Sequence, residues 1–404
     1  MDCAQIDGIP LFGDRGGRSS GAIFTLNSRA RRTGSVRVGA KWTVLVREGS
    51  DALVVRGGRA GSYAKAWDNG LEAAQRGLDI LSLRAAGDLA VRDPDEAHIV
   101  WWQESRGLVL RLFGILTTTP EFSITLSVRN PSGRWVRPTR SKPVWHESFR
   151  FFRLAQVTDD VFDAYRNLYL ALECLLDDLC PYRGGPEMAW LKRALASSKA
   201  APSIVALAPP GSKDPLRDVV HDVYSLTRTA VFHAKARQRH LTPGVRKERE
   251  QVRETLEELA RLYLTVVHHE LGTQRGASGI SSSAVSEMMD SVYGSSLVLV
   301  VSDDAATFDP GETSINPSGG AVVTLATRAA PEYDASFVRN WLGAVEVSRL
   351  SGLSRIARVG ALQGDGVQFV QTLENVLTVG GFDILEAQLA RRVENKGPRR
   401  LYPR

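Results

Sequence analysis

Arg228-Thr229-Ala230-Val231-Phe232-His233 places an arginine and a histidine five residues apart. Histidine titrates near neutrality and can take or give a proton. Arginine stays charged and presents a planar fork that matches phosphate oxygens. The pair therefore suits proton transfer at a phosphate centre without a metal. On a straight α-helix an i,i+5 pair is separated by about 140° and about 7.5 Å of rise, so the two side chains cannot stack. With Leu216, Val219, Val220, Val223, Thr227, Ala230 and Val231 turned inward, Asp222, Ser225, Arg228, Thr229 and His233 form a polar arc. Arg228 and His233 then sit near its two edges, and Thr229 is in i,i+4 register with His233. Glu173, on an earlier helical stretch, is a candidate to orient the imidazole; its alternative is a solvated helix face. The alternative for Arg228 and His233 is a capping or salt-bridged pair that fixes the helix end.

A basic run follows directly: Lys235, Arg237, Arg239, His240, Arg246, Lys247 and Arg249. It can track a phosphate backbone, or it can be a solvated turn between helices. The Arg–His spacing by itself is unspecific, because it recurs at Arg92/His98, Arg140/His146 and Arg261/His268. The first two cross Pro94 and Pro143 and read as loops. Only Arg228/His233 lies on the third of four helical stretches.

Those stretches must position the chemistry. From Thr158 the apolar period becomes helical, with Val161, Tyr165, Leu168, Leu172, Leu175 and Leu179 recurring up to Pro181. Thr158 is read as the cap, with Asp159 and Asp160 in the first turn. A second helix starts at Pro186, a third at Asp214-Pro215, and a fourth near Thr242-Pro243. They predict an antiparallel four-helix bundle over residues 151–272. Before it, residues 1–150 read as a β-rich domain: strands at 22–26, 42–46, 52–55, 99–102, 108–116 and 122–128, and one helix at 62–83. After it come a Gly/Ser-rich linker (273–290) and a small mixed α/β module (291–404) with strands at 297–301 and 321–325, helices around 334–350 and 367–377, and a basic tail. The fold class expected is multidomain α+β.

Residues 162–173 (FDAYRNLYLALE) and 228–235 (RTAVFHAK) resemble the first and third helices of the HEPN superfamily, in its Apea-like and methylamine-utilisation-J-like branch. The resemblance covers about residues 151–272. It implies a metal-independent endoribonuclease with Arg228 and His233 as catalytic residues, of toxin or antiviral-defence type. RNA supplies its own nucleophile, the 2′-hydroxyl. Attack on the neighbouring phosphate leaves 2′,3′-cyclic phosphate and 5′-hydroxyl ends, with no cofactor. One helix makes a poor pocket, so a homodimer or higher homo-oligomer through the bundle is expected, since an isologous interface presents the same patch twice. A regulatory or trigger protein is a further expected partner. The alternative is a non-catalytic scaffold that binds RNA, a nucleotide or a protein.

Composition narrows the classes. The chain has 404 residues, 43% hydrophobic and 24% charged, which is too apolar for global disorder. A net charge of +6 permits an anionic partner without requiring one. No apolar run approaches about 18 residues, so no membrane partner is expected. The first residues carry Asp2, Asp7 and Asp14 and no apolar core, so no cleaved secretory signal is expected. Cys3, Cys174 and Cys180 make no disulfide framework, and the chain reads as cytoplasmic. His268-His269-Glu270 is a poor metal site because adjacent histidines diverge on a helix. Gly57-Gly-Arg-Ala-Gly61 lacks phosphate-loop spacing and reads as a turn. Trp101 and Trp102 alternate faces of a strand, one in the core and one at a surface or interface.

Overall fold

The computed structural model describes residues 4–12, 19–83, 88–118, 128–129, 132–136, 144–158, 160–232, 240–273, 287, 291, 297–306, 314–328, 330, 338–364 and 366–393. The chain divides into two compact units, one of Met1–Thr118 with Ser282–Val393, the other built on Thr119–Ser281. The expected row of three modules is therefore corrected: the two flanks are one body, and the helical part is inserted into it.

In the first unit the chain runs through β1 (Gln5–Ile6), β2 (Ile9–Pro10), β3 (Ser20–Thr25), β4 (Gly34–Val38), β5 (Trp42–Val46), β6 (Ala52–Gly58), α1 (Tyr63–Leu83), β7 (Ala97–Glu104) and β8 (Gly107–Thr118). The short pair β9 (Val128–Arg129) and β10 (Trp135–Val136) belongs to the second unit. After the helices the chain returns as β11 (Val298–Ser302), β12 (Val322–Thr324), β13 (Ala326–Arg328), β14 (Val338–Glu346), β15 (Arg355–Gln363), β16 (Gly366–Thr378) and β17 (Ile384–Val393). One sheet has the order β12-β11-β15-β16-β1-β2, the other β13-β14-β17-β8-β7-β3-β6-β5-β4. Each end of the chain thus lends strands to the sheet built mostly by the other.

The sheets bury a shared core that includes Ile6, Leu11, Trp101, Leu110, Leu299, Ile356, Leu377 and Leu385. A second core lies on the other face of the nine-stranded sheet, where Leu71, Ala74, Leu78 and Leu81 of α1 meet Ala22, Val44, Val55 and Trp102. Both tryptophans are buried, Trp101 in the first core and Trp102 in the second. The expectation that one of them faces a surface is corrected, because both faces of this sheet are covered.

Where described, the helix expected around 334–350 is strand β14 followed by a 3-10 turn at Val347–Leu350, and the one expected at 367–377 is strand β16. Phe369, Val370, Leu373, Val376 and Leu377 fit a helical stripe, but every second residue from Val367 also alternates, and the β-branched residues favour the extended form. β17 (ILEAQLARRV) is rich in helix formers and was not anticipated as a strand. It is extended because it pairs with β8 in parallel from Ile384↔Val109 to Val393↔Thr118 and with β14 on its other side. Arg391–Val393, at the start of the basic tail, belong to it. The expected strand at 122–128 lies outside the described residues except for Val128, as does most of the Gly/Ser-rich linker.

The second unit holds α2 (Ser148–Val157), α3 (Val161–Leu179), α4 (Glu187–Ser197), α5 (Ala201–Val205), α6 (Pro215–Val220), a π-helical stretch (His221–Arg228), α7 (Thr229–Phe232) and α8 (Arg246–Leu271). This is not the four-helix bundle expected. Residues 148–157 add a helix whose Phe152 stacks on Tyr263 at 5.1 Å, and the third helix is broken in the middle. The cap of α3 is Asp160, whose carboxylate accepts from the Phe162 and Asp163 amides, not Thr158. Asp214 caps α6 as expected, through the Arg217 amide, and α8 starts later than expected because Glu248 folds back onto Thr242. No helix among the described residues is long and apolar enough to cross a membrane.

A buried ion pair ties the two ends of the first unit together. Arg111 of β8 reaches Glu386 of β17 at 2.6 Å, both side chains at most 10% exposed, and lies over the Tyr63 and Trp102 rings. Arg111→Ala leaves that carboxylate short of a partner and is expected to cost about 3–5 kcal/mol in urea unfolding. Arg76→Ala, which breaks an exposed pair with Glu72, should cost about 0.5 kcal/mol or less.

Candidate functional site

The third helix explains where Arg228 points. Tyr165 lies buried on α3 and its hydroxyl donates to the Val223 carbonyl, so a side chain enters the helical ladder there. The ladder shifts to i→i+5: the Thr229 amide bonds the Tyr224 carbonyl, and the Thr229 hydroxyl reaches the same oxygen at 3.4 Å. The expectation of a straight helix with Arg228 at the edge of an outer polar arc is corrected. The widened turn rotates Arg228 toward α3 and α4, and it is only 17% exposed.

There its guanidinium carbon lies 5.5 Å from the Tyr169 ring centre, 5.3 Å from that of Tyr224 and 5.1 Å from that of Phe232. Nη2 is 3.1 Å from Oε2 of Glu187, the first residue of α4. The Glu187 carboxylate also accepts from the Tyr169 hydroxyl at 2.8 Å and the Tyr224 hydroxyl at 3.1 Å. The contact runs through Nη2, and Arg228 Nε is buried without a hydrogen-bond partner among the described residues. Burial and the neighbouring Glu187 push the half-buried Glu173 carboxyl above its ordinary range, against the pull of Arg228. Burial also raises the Tyr169 and Tyr224 hydroxyls, with Glu187 adding to it.

Of the residues singled out by sequence, Arg228, Thr229 and Glu173 come to this cluster, and Ser225 is half-buried on the same stretch. His233, Lys235, Arg237, Arg239 and the Asp222 side chain lie outside the described residues. Lys247 and His240 are exposed; Arg246 pairs with Glu250 at 2.7 Å. Arg249 is corrected from surface to interior: it is 6% exposed and donates to the Pro243 carbonyl. The sequence reading missed Glu187, Tyr169, Tyr224 and Phe232. Two tyrosines beside apolar stripes were a signal, since a buried hydroxyl needs an acceptor.

The other Arg–His spacings go elsewhere. His98 is buried against Phe113 and bonds the Tyr63 hydroxyl, and His146 bonds the Ser148 hydroxyl. His268 and His269 diverge, one to the Thr273 carbonyl and one to Ser203, while Glu270 accepts from Ser198 and Lys199. The described residues contain no group of three or more metal-ligating side chains. Gly57 and Gly58 serve packing: a Cβ would lie 2.1 Å from the Lys41 carbonyl and 2.2 Å from the Trp42 ring. Cys174 and Cys180 are free and half-buried. No family model, curated protein or solved structure matches this chain.

Glu173 gives the site a pH signature. Its folded carboxyl binds a proton more readily than the unfolded one, so its ionisation opposes folding once the pH rises past the ordinary carboxyl range. Glu173→Gln should therefore raise the melting temperature of the full chain at pH 7 and change it little at pH 4.

Proposed function

We propose that this chain is a metal-independent endoribonuclease of the cytoplasm, with its reaction centre at Arg228 and His233. The observation that carries the reading is the setting of Arg228: a guanidinium fixed by three rings, still reaching solvent, five residues before His233. In this reading Arg228 neutralises the phosphate charge that grows during 2′-hydroxyl attack. His233 transfers the proton, and the products carry 2′,3′-cyclic phosphate and 5′-hydroxyl ends. The likeness of residues 162–173 and 228–235 to HEPN helices supports RNA as substrate, a homodimer or higher homo-oligomer, a trigger partner and a role in toxin or antiviral defence. The roles given to Arg228 and His233 do not depend on the four-helix bundle, which the described residues do not show.

A second reading, a non-catalytic scaffold binding RNA, a nucleotide or a protein, is favoured by one observation: at rest Glu187 already engages Arg228. Incubating a labelled RNA with the full chain in EDTA separates the two. Wild type should cleave, leaving cyclic-phosphate ends, while Arg228→Lys and His233→Ala should lose about 100-fold or more in rate, as expected for a charge-stabilising group and a proton-transfer group. Equal cleavage by all three, or none by any, sinks the enzyme reading.

If the exposed Lys247 and Arg239 of the same basic run contact the RNA backbone, replacing both with Gln should flatten the dependence of log affinity on log salt by about 0.7 per contact. An unchanged slope returns them to ordinary surface.

A further inference from the structure

We propose that Glu187 is a gate on Arg228: it occupies the guanidinium in the resting chain and must move aside before a phosphodiester binds. The proposal rests on the reading of Arg228 as a phosphate ligand. Three features support a displaceable partner over a permanent one. First, the contact is single and leaves Nε unsatisfied, whereas a structural arginine–carboxylate pair favours the two-bond fork. Second, Tyr169 and Tyr224 hold the two partners through different groups: their hydroxyls donate to the Glu187 carboxylate, while their rings face the guanidinium. The rings of Tyr169, Tyr224 and Phe232 position the guanidinium, so it keeps its place when the carboxylate leaves. Third, Glu187 follows the exposed Gly184 and Gly185, both at positive φ and with nothing within 4 Å of where a Cβ would stand. A connector with open space at both Cβ positions can shift at little steric cost once the Tyr182 hydroxyl releases the Gly185 carbonyl. Both side chains also keep some surface, 17% for Arg228 and 18% for Glu187, so an anion can approach from solvent.

The gate sets affinity by arithmetic: apparent binding weakens in proportion to the fraction of molecules in which Arg228 is open. Removing the gate charge should restore it. The test is fluorescence anisotropy of the full chain with a labelled 2′-O-methyl RNA 20-mer, which cannot be cleaved by 2′-hydroxyl attack. Glu187→Gln is expected to tighten binding about tenfold, the gain for a site open in about one molecule in ten. Glu187→Asp keeps the charge but is one methylene short of the guanidinium, and it should tighten binding as well. It also guards against misfolding of the first variant. Glu173→Gln removes a neighbouring charge that forms no ion pair with Arg228 and should give a much smaller gain. In the double variant Glu187→Gln/Arg228→Lys the gain should disappear.

Binding by Glu187→Gln no tighter than wild type overturns the gate. An equal gain from Glu173→Gln also overturns it, because local charge alone then explains the effect. Cleavage of unmodified RNA is followed in parallel. Tighter binding without cleavage by any variant retains the gate and removes the nuclease reading; cleavage without a binding gain does the reverse.

Discussion

β17 lies between β8 and β14 and pairs with β8 in parallel over its whole length, in a sheet whose other pairings are antiparallel. Much of the first unit depends on that seam. Without β17, β13 and β14 lose their connection to the nine-stranded sheet. Arg111 and Glu386 sit opposite each other across it, and the Arg111 guanidinium also reaches Gln388 at 3.1 Å. A one-residue slip would turn every side chain of β17 to the other face and bury the Glu386 carboxylate without its arginine. Arg328 of β13 adds a second cation to the same carboxylate at 2.8 Å, so the bond network continues to the sheet edge.

The helical segment enters this body between β8 and β11. Its own core is independent in composition, built by Tyr165, Leu168, Leu172, Trp190, Val223, Leu256, Leu259 and Tyr263 among others. Within it the broken third helix links fold to chemistry. The Tyr165 hydroxyl bonds the Val223 carbonyl within the stretch that widens to i→i+5, and that stretch ends on the inward-facing Arg228. π-helical turns cost hydrogen-bond geometry and persist mostly where function uses them. Here the turn delivers a guanidinium to three rings and one carboxylate, with polar hydroxyls completing the set.

Much of the local structure was legible in the sequence. The stripe of α1, the apolar runs of β3, β5, β6, β7 and β8, and the Asp214-Pro215 start of α6 all follow from periodicity and capping chemistry that a few neighbouring residues contain. The Arg228–His233 spacing and the buried stripe Val220, Val223, Thr227, Ala230 and Val231 were visible for the same reason. The misreadings have a common cause. β16 satisfies two periods at once, and β17 prefers helix by composition, so only their neighbours across the sheet select the extended form.

What the sequence determined by itself is therefore short-ranged: which residues cap, which stripes are apolar, and that an arginine and a histidine stand five residues apart. Tertiary structure alone decided that the two ends of the chain form one body, that the third helix widens, and that Glu187 at the start of α4 meets Arg228. The physical reason is the same each time. A strand pairing, a hydroxyl inserted into a helix and an ion pair between helices are contacts between residues far apart in the chain, and no local pattern encodes their partners.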